Sequence, residues 1–227
     1  MNIAFIPARC GSKSIKFKNI KAFCGKPLIY WNLAALENSK NIDQVYVATD
    51  CEKIAKVVNQ FQFSKVKVFK RNDENASDGA STESVMIEFL MKKKFNDDDI
   101  FVLVQVTSPL TQAHDFDNAI GQFKKENVDS LLSCVREKKF IWKDDCQPFN
   151  YDFNSRPRRQ DFNGVLIENG AFYITRIGNV KKSKNRLNGS ISIYEMAEYN
   201  SIEIDEDMDW NLAENLMKKY IFNGNFS

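Results

Sequence analysis

The sequence predicts an α/β fold: a Rossmann-like, mostly parallel sheet with helices on both faces. Two observations carry this. Short apolar runs alternate with longer segments of helical period through the first half of the chain, the rhythm of strand and crossover helix. One run, IFVLVQV, is apolar almost throughout, as a strand covered on both faces must be. The 227 residues, 43% of them hydrophobic, suffice for one sizeable core with a small appendage.

Taken in order, NIAFIPA reads as a buried strand, and PLIYWNLAALENS as a helix with Pro27 at its first turn. QVYVATD is a second strand, followed by the amphipathic CEKIAKVVNQF, and KVKVFKR is a third strand. SVMIEFLMKKKF is a helix that Ser81 or Thr82 can cap. IFVLVQV, the helix AHDFDNAIGQFKKEN and the strand SLLSCV continue the alternation. It breaks between about residues 136 and 168, a stretch rich in aromatics, charges and turn formers without helical period, which reads as an arm leaving the sheet. ENGAFYITR and SISIYEM resume strand patterns, IEIDEDMD is read as a strand, and DWNLAENLMKKYIF closes the chain as a helix. With no internal repeat and no low-complexity linker, residues 1–227 read as a single domain carrying one insert.

Composition excludes several partners. Lys and Arg number 32 against 30 Asp and Glu, so the net charge of +2 gives no global attraction to nucleic acid or a membrane surface. No run approaches the roughly 18 apolar residues of a membrane span. The first apolar run is too short for a signal peptide and lacks a preceding basic segment. Five dispersed cysteines without a CxxC pair suit a reducing cytosol better than a disulfide framework or a zinc site. A cytoplasmic location is the expectation.

In parallel sheets ligands sit beyond the carboxyl ends of the strands. The first such loop, in IPARCGSKSIKFKN, gathers Arg9, Gly11, Ser12, Lys13, Lys16, Lys18 and Asn19. A glycine lets backbone approach phosphates closely, and amides with cationic side chains neutralise a polyanion. This loop is neither a P-loop nor a GxGxxG turn. Near the end, Glu203 and Asp205 alternate as they would on one face of a strand, and paired carboxylates facing a triphosphate are natural Mg²⁺ ligands. Asp209 suits the first turn of the last helix. His114 is the only histidine and reads as a helix-start residue rather than a base.

IPARCGSKSIKFKNI resembles the N-terminal signature of the acylneuraminate cytidylyltransferases, with its Ala-Arg pair, its Ser-Lys pair and its closing Lys-Asn. The similarity continues through KRNDENASDGAST, LVQVTSPL, RRQDF, ENGAFYI and EIDEDMDW, in family order and over nearly the whole chain. The sister family that activates Kdo resembles the chain less, because QVTSP stands where that family has an acidic QGDEP-like segment.

The resemblance implies roles. Arg9 and Lys13, with Gly11 and Ser12, would hold CTP phosphates, while Asn19 and Ser81 would seat the nucleotide. Arg71 would read cytosine, whose O2 and N3 both accept from an arginine fork where uracil presents an N3–H. By spacing alone Arg71 could equally be a surface arginine after a strand. Gln105 would hydrogen-bond the sugar, unless Thr107-Ser108-Pro109 simply starts the next helix. Arg159 would approach the sugar carboxylate or phosphates. The family's sugar-binding lysine aligns nearest Trp142, so its role falls to Lys143 by proximity, with Lys138 and Lys139 close by. Asp205 would bind the metal, and Glu203 stands where many relatives carry a second aspartate. Val106 replaces a common proline, and Ile167 an occasional arginine.

The function implied is Mg²⁺-dependent transfer of CMP from CTP to the anomeric hydroxyl of a sialic-acid-like nonulosonic acid, releasing pyrophosphate, by a homodimer joined through the arm. A same-fold transferase for another sugar acid, such as Kdo, and a non-catalytic nucleotide-binding module are the alternatives.

Overall fold

A computed structural model describes residues 1–11, 14–72 and 80–222. The chain opens with β1 (Asn2–Pro7), a small hairpin of β2 (Ala22–Phe23) and β3 (Lys26–Pro27), and α1 (Leu28–Asn38). β4 (Gln44–Thr49), α2 (Glu52–Gln60), β5 (Val66–Lys70), α3 (Thr82–Lys92), β6 (Ile100–Val104) and α4 (Ala113–Glu126) follow in alternation. β7 (Ser130–Glu137), β8 (Val165–Arg176), α5 (Ile177–Ser183), β9 (Ile191–Met196) and α6 (Asp207–Leu216) complete the fold.

Among the described residues seven strands form one sheet in the order β5-β4-β1-β6-β8-β7-β9. All pairings are parallel except those of β8, which runs against both β6 and β7. The expected mostly parallel sheet is therefore present, with one reversed strand. Side chains alternate across it into two apolar layers. Ala4, Ile6, Val45, Val47, Val102 and Val104 meet α1, α2, α4 and α6 on one face. Ile3, Phe5, Tyr46, Phe101 and Leu103 meet α3 and α5 on the other. Helical spacing does the same work: Phe116, Ala119, Ile120 and Phe123 of α4 are all fully buried. Each such phenylalanine contributes roughly 2–3 kcal/mol of transfer free energy.

Strand order decides where a ligand goes. From β1 the chain moves outward through β4 to β5, then returns to place β6 on the other side of β1. The crevice at this reversal lies beyond the carboxyl ends of β1 and β6, the usual ligand position in such sheets.

The structure corrects two readings. Residues 202–205 form no strand. The Ile204 N–H donates to the Thr107 carbonyl at 2.9 Å, and the N–H groups of Asp205 and Glu206 both donate to the Asp209 carboxylate at 3.0 and 2.8 Å. Local capping of α6, with Glu206 at the N-cap and Asp209 three residues on, takes the backbone groups a strand would have used. The second correction concerns the cysteines: Cys10 and Cys51 are paired in a disulfide, their Cα atoms 4.8 Å apart, while Cys24, Cys134 and Cys146 are free. Sequence spacing could not show this, since 41 residues separate the partners. α5 was not anticipated; it is seven residues long and continues directly from β8 without a sequence break.

Between β7 and β8 the chain leaves the sheet. Its tip is a hairpin in which the Phe149 N–H donates to the Ile141 carbonyl and the Lys143 N–H to the Gln147 carbonyl, at 2.8 and 2.9 Å. Phe140 packs against Tyr151 and Phe162, with ring centroids 4.5 and 4.8 Å away, and the Arg156 guanidinium lies 4.3 Å over Phe140. No helix among the described residues is long and apolar enough to cross a membrane.

Candidate active site

At the strand reversal lies a cavity of about 280 Å³. It brings together five residues the sequence singled out, Arg9, Gly11, Asn19, Arg71 and Ser81, and adds Lys18, Thr107 and the first residue of α3, Thr82. Ser12 and Lys13 lie outside the described residues.

Each wall has a local cause. The loop after β1 is pinned where the Ala8 N–H donates to the Ala48 carbonyl at 2.9 Å, and where the Cys10 N–H donates to Asp50 Oδ1 at 3.2 Å. Asn19 Nδ2 donates to the Arg9 carbonyl at 3.0 Å, so this asparagine shapes the loop as well as facing the cavity. At the end of β5, Arg71 is buried. Its Nε donates to the Ala48 carbonyl at 3.0 Å, which fixes the plane of the guanidinium. Burial holds its pKa below the ordinary arginine value; the charges of Asp50 and Glu88 oppose that shift and Arg9 adds to it. The group remains a cation. The following residue is tied to α3, where Glu88 Oε1 accepts from the Asn72 N–H at 2.8 Å and from Lys92 Nζ at 2.7 Å. A surface arginine would need none of this anchoring, so the exposed alternative for Arg71 does not hold.

Ser81 is the N-cap of α3, its hydroxyl accepting from the Ser84 N–H at 3.1 Å. Capping and a place in the cavity wall are therefore one arrangement. The α3 N-terminus, with its positive dipole end, meets the same cavity as Arg9, Lys18 and Arg71. Three cations and a helix start at one concave surface suit a polyanion.

The carboxylates sit beside this cavity. Lys18 is buried, and its Nζ donates to the Ile204 carbonyl at 2.7 Å and to Asp205 Oδ1 at 3.0 Å. Ser14 Oγ donates to the Asp205 carbonyl oxygen. Thr107 Oγ1 donates to Glu203 Oε1 at 3.0 Å. Burial raises the Glu203 pKa above the ordinary range, Thr107 lowers it in part, and the neighbouring charges of Asp205 and Glu168 raise it further against Lys18. Glu203 packs over Gly170, whose φ is +67°; a Cβ there would stand 3.4 Å from the Glu203 carboxylate. Glycine serves both the left-handed backbone and this close approach.

Lys18 and Thr107 were not assigned site roles from sequence. A lysine next to the loop asparagine and a threonine after the most apolar strand were the available signals. Thr107 turns toward Glu203 rather than capping α4, whose N-cap is Gln112.

The three residues read for the sugar, Gln105, Lys143 and Arg159, do not line this cavity. The backbone of Gln105 is fixed, its N–H donating to the Ala171 carbonyl at 3.1 Å and its carbonyl accepting from Asn32 Nδ2 at 3.3 Å, but it does not line the cavity. Lys143 lies in the arm's tip. Arg159 instead shares two other cavities with Lys138, one of about 330 Å³ beside Arg136 and Glu195 and one of about 610 Å³ beside Phe140 and Arg156. His114 is exposed at the start of α4, 3.6 Å from Asp115, and does not line the cavity at the strand reversal.

Comparison with known proteins bears on this geometry. The sequence model of the family described as Cytidylyltransferase matches residues 3–223. The chain is 36% identical over 228 residues to N-acylneuraminate cytidylyltransferase A of Danio rerio, covering 97% of this chain and 52% of that protein. It is 28% identical over 217 residues to N-acylneuraminate cytidylyltransferase of Streptococcus agalactiae, covering 92% and 51%. The chain thus spans about half the length of these curated relatives. Its fold is similar to that of a CMP:2-keto-3-deoxy-manno-octonic acid synthetase solved with CTP, at a TM-score of 0.71 and 18% identity over 97% of this chain and 99% of that one. A 4-diphosphocytidyl-2C-methyl-D-erythritol synthase from Anaerococcus prevotii matches at a TM-score of 0.68 and 12% identity, over 96% of both chains.

Proposed function

Because the chain belongs to the cytidylyltransferase family, we propose that it transfers CMP from CTP to the anomeric hydroxyl of a sialic-acid-like nonulosonic acid, releasing pyrophosphate. The observation that carries this is the single cavity in which Arg9, Lys18, Asn19 and an anchored Arg71 meet the N-terminus of α3.

In this reading Arg71, its Nε occupied by the Ala48 carbonyl, presents its terminal nitrogens to cytosine O2 and N3. Arg9 and Lys18, with Lys13 from the same loop, neutralise the triphosphate and the charge that develops on departing pyrophosphate. The sugar hydroxyl attacks the α-phosphorus in line while pyrophosphate leaves opposite. Positioning and charge neutralisation dominate such a reaction, and no protein nucleophile is required.

The donor set fits a hard divalent cation. Glu203 and Asp205 offer only oxygen, and their mutual repulsion is what a cation would relieve. Among the described residues no three His, Cys, Asp or Glu side chains converge as ligands. Phosphate oxygens and water would therefore complete the shell, as Mg²⁺ prefers. Bound there, Mg²⁺ would supply Lewis-acid polarisation of a phosphoryl oxygen. Lys18 and Thr107 orient the two carboxylates whether or not the ion is present.

The sugar acid's carboxylate calls for a cation, and Arg159 with Lys138 is a cationic pair that shares two cavities at the arm's base. Lys138 replaces Lys143 as the lysine of choice. Residues 136–137 and 165–168 belong to β7 and β8, so we assign the remaining residues 138–164 as an arm that pairs two copies and brings these cations to the sugar; the exposure of Trp142, Phe149 and Phe153 supports it.

The test is pyrophosphate release with Mg²⁺, CTP or UTP, and a panel of N-acetylneuraminate, Kdn, legionaminate, pseudaminate and Kdo. Turnover with CTP and a nonulosonic acid is expected, and Arg71→Ala should narrow the CTP-over-UTP preference. CTP binding without pyrophosphate release on any acid would reject the enzyme reading; turnover with Kdo alone would reject the sugar class.

A further inference from the structure

We infer that Cys10 and Cys51 are a reversible thiol–disulfide site that takes a zwitterionic low-molecular-weight disulfide of the glutathione type, and that the bond clamps the nucleotide loop. The second half of this inference rests on the CTP reading above.

Cys10 stands between Arg9 and Gly11, both of which line the nucleotide cavity. Cys51 is the residue before α2, at the junction with β4. The disulfide therefore ties the loop that would wrap the triphosphate to a rigid strand–helix corner of the sheet. The Cys10 N–H donates to Asp50 Oδ1 of the same corner at 3.2 Å, and the Cys51 N–H is itself held by Thr49 Oγ1 at 3.1 Å. A second cavity, of about 370 Å³, opens on Cys51 and is flanked by Asp50, Glu52 and Lys70. Carboxylates and an ammonium side by side suit a small peptide bearing both charges, and the cavity gives such a molecule a route to the sulfur.

The remaining cysteines compete poorly. Burial, reinforced by Glu214 and countered by Lys218, pushes the Cys24 thiol up to about 11. Burial with the charges of Glu168 and Glu195 pushes Cys134 up to about 11 as well. Both stay protonated at neutral pH, and the thiolate is the reactive form. Cys146 is exposed on the arm.

The chemistry balances as ordinary exchange. The Cys51 thiolate, on which the cavity opens, attacks one sulfur of the small disulfide and expels one small thiol, leaving a mixed disulfide. The Cys10 thiolate then attacks Cys51 Sγ and expels the second small thiol. Two protein thiols are oxidised, and one small disulfide is reduced to two thiols. Clamping lowers the number of states the empty loop samples, so less ordering remains to be done when CTP binds.

The experiment uses the full chain with Cys146→Ser, which removes pairing between copies and leaves four cysteines. It is equilibrated in buffers of graded glutathione-to-glutathione-disulfide ratio, acid-quenched, alkylated with iodoacetamide under denaturing conditions and weighed by mass spectrometry. CTP affinity is measured by calorimetry at each ratio. Two adducts in the oxidising buffers, four in the reducing ones, and a CTP Kd about fivefold weaker on reduction are expected. Adding Cys51→Ser should fix the affinity at the weaker value throughout; Cys10→Ser checks the same point from the other partner. Four adducts at every ratio would overturn the site. Two adducts with an unchanged CTP Kd would overturn the clamp. No CTP binding in either state would overturn the clamp through the nucleotide reading, and the adduct count would still report on the bond.

Discussion

Asp205 shows how much a single side chain is asked to do. Its Oδ1 takes a hydrogen bond from the buried Lys18, and its backbone carbonyl takes another from Ser14, so its place is fixed from two elements of the first loop. An asparagine would keep the size and lose the charge that a cation needs. Asp205→Asn should lower kcat by about 10²–10³ and raise the Mg²⁺ concentration for half-maximal rate, with little change in Tm. A Mg²⁺ titration of turnover beside a melting curve checks this; an unaltered Mg²⁺ requirement would remove Asp205 from the metal site. Glu203→Gln should be milder, since Thr107 can still donate to the amide oxygen and water can take the ligand position. The sequence singled out the pair through a strand alternation that the structure does not have, and through the family resemblance. What held it was not legible there: Lys18 reaches Asp205 across 187 positions, and Thr107 reaches Glu203 across 96.

Elements are held to one another by polar clamps as well as by the two apolar layers. The turn after α1 wraps Asp117 of α4: Oδ1 accepts from Ser39 Oγ at 2.6 Å and the Asn41 N–H at 2.9 Å, and Oδ2 from the Lys40 N–H at 3.2 Å. Partial burial pushes this carboxyl up, but the three hydrogen bonds and the Lys40 charge together bring it below its ordinary 3.8. A folded-state pKa below the unfolded one means stability that is present above about pH 4 and is lost as pH falls through the folded value. Asp117→Asn should therefore cost about 1–2 kcal/mol at pH 7, and less at pH 3. Urea unfolding of both chains at the two pH values measures it, and an equal gap at both would contradict the assignment. Strands and helices of the first half were readable because hydrophobic period and length agree there. IEIDEDMD was misread because alternation alone cannot tell a strand from an extended segment whose N–H groups are taken by a helix cap.

For the molecule as a whole, the arm is the feature that bears on whether the chain works alone or in a pair. The arm divides its aromatics: Phe140 and Tyr151 pack with Phe162 under Arg156, while Trp142, Phe149 and Phe153 stay 52%, 60% and 57% exposed. Three large apolar side chains on one excursion suit the core of an interface. Light scattering should report twice the mass of one 227-residue chain, and replacing Trp142, Phe149 and Phe153 together by serine should give a monomer with reduced turnover. A fully active monomer would show that the arm serves its own chain only. By itself the sequence determined the sheet, because strand and helix periods are local properties that burial on two faces reinforces. It also marked Arg9 and Gly11 for a site by their place after the first strand, since ligands sit beyond strand ends, while Asn19, Arg71 and Ser81 were marked by the family resemblance. Tertiary structure alone decided that Lys18 clamps Asp205, that Arg159 keeps company with Lys138 instead of Lys143, and that Cys10 meets Cys51. Those contacts depend on which loops the strand order brings side by side, and loop conformation has no period from which a sequence can be read.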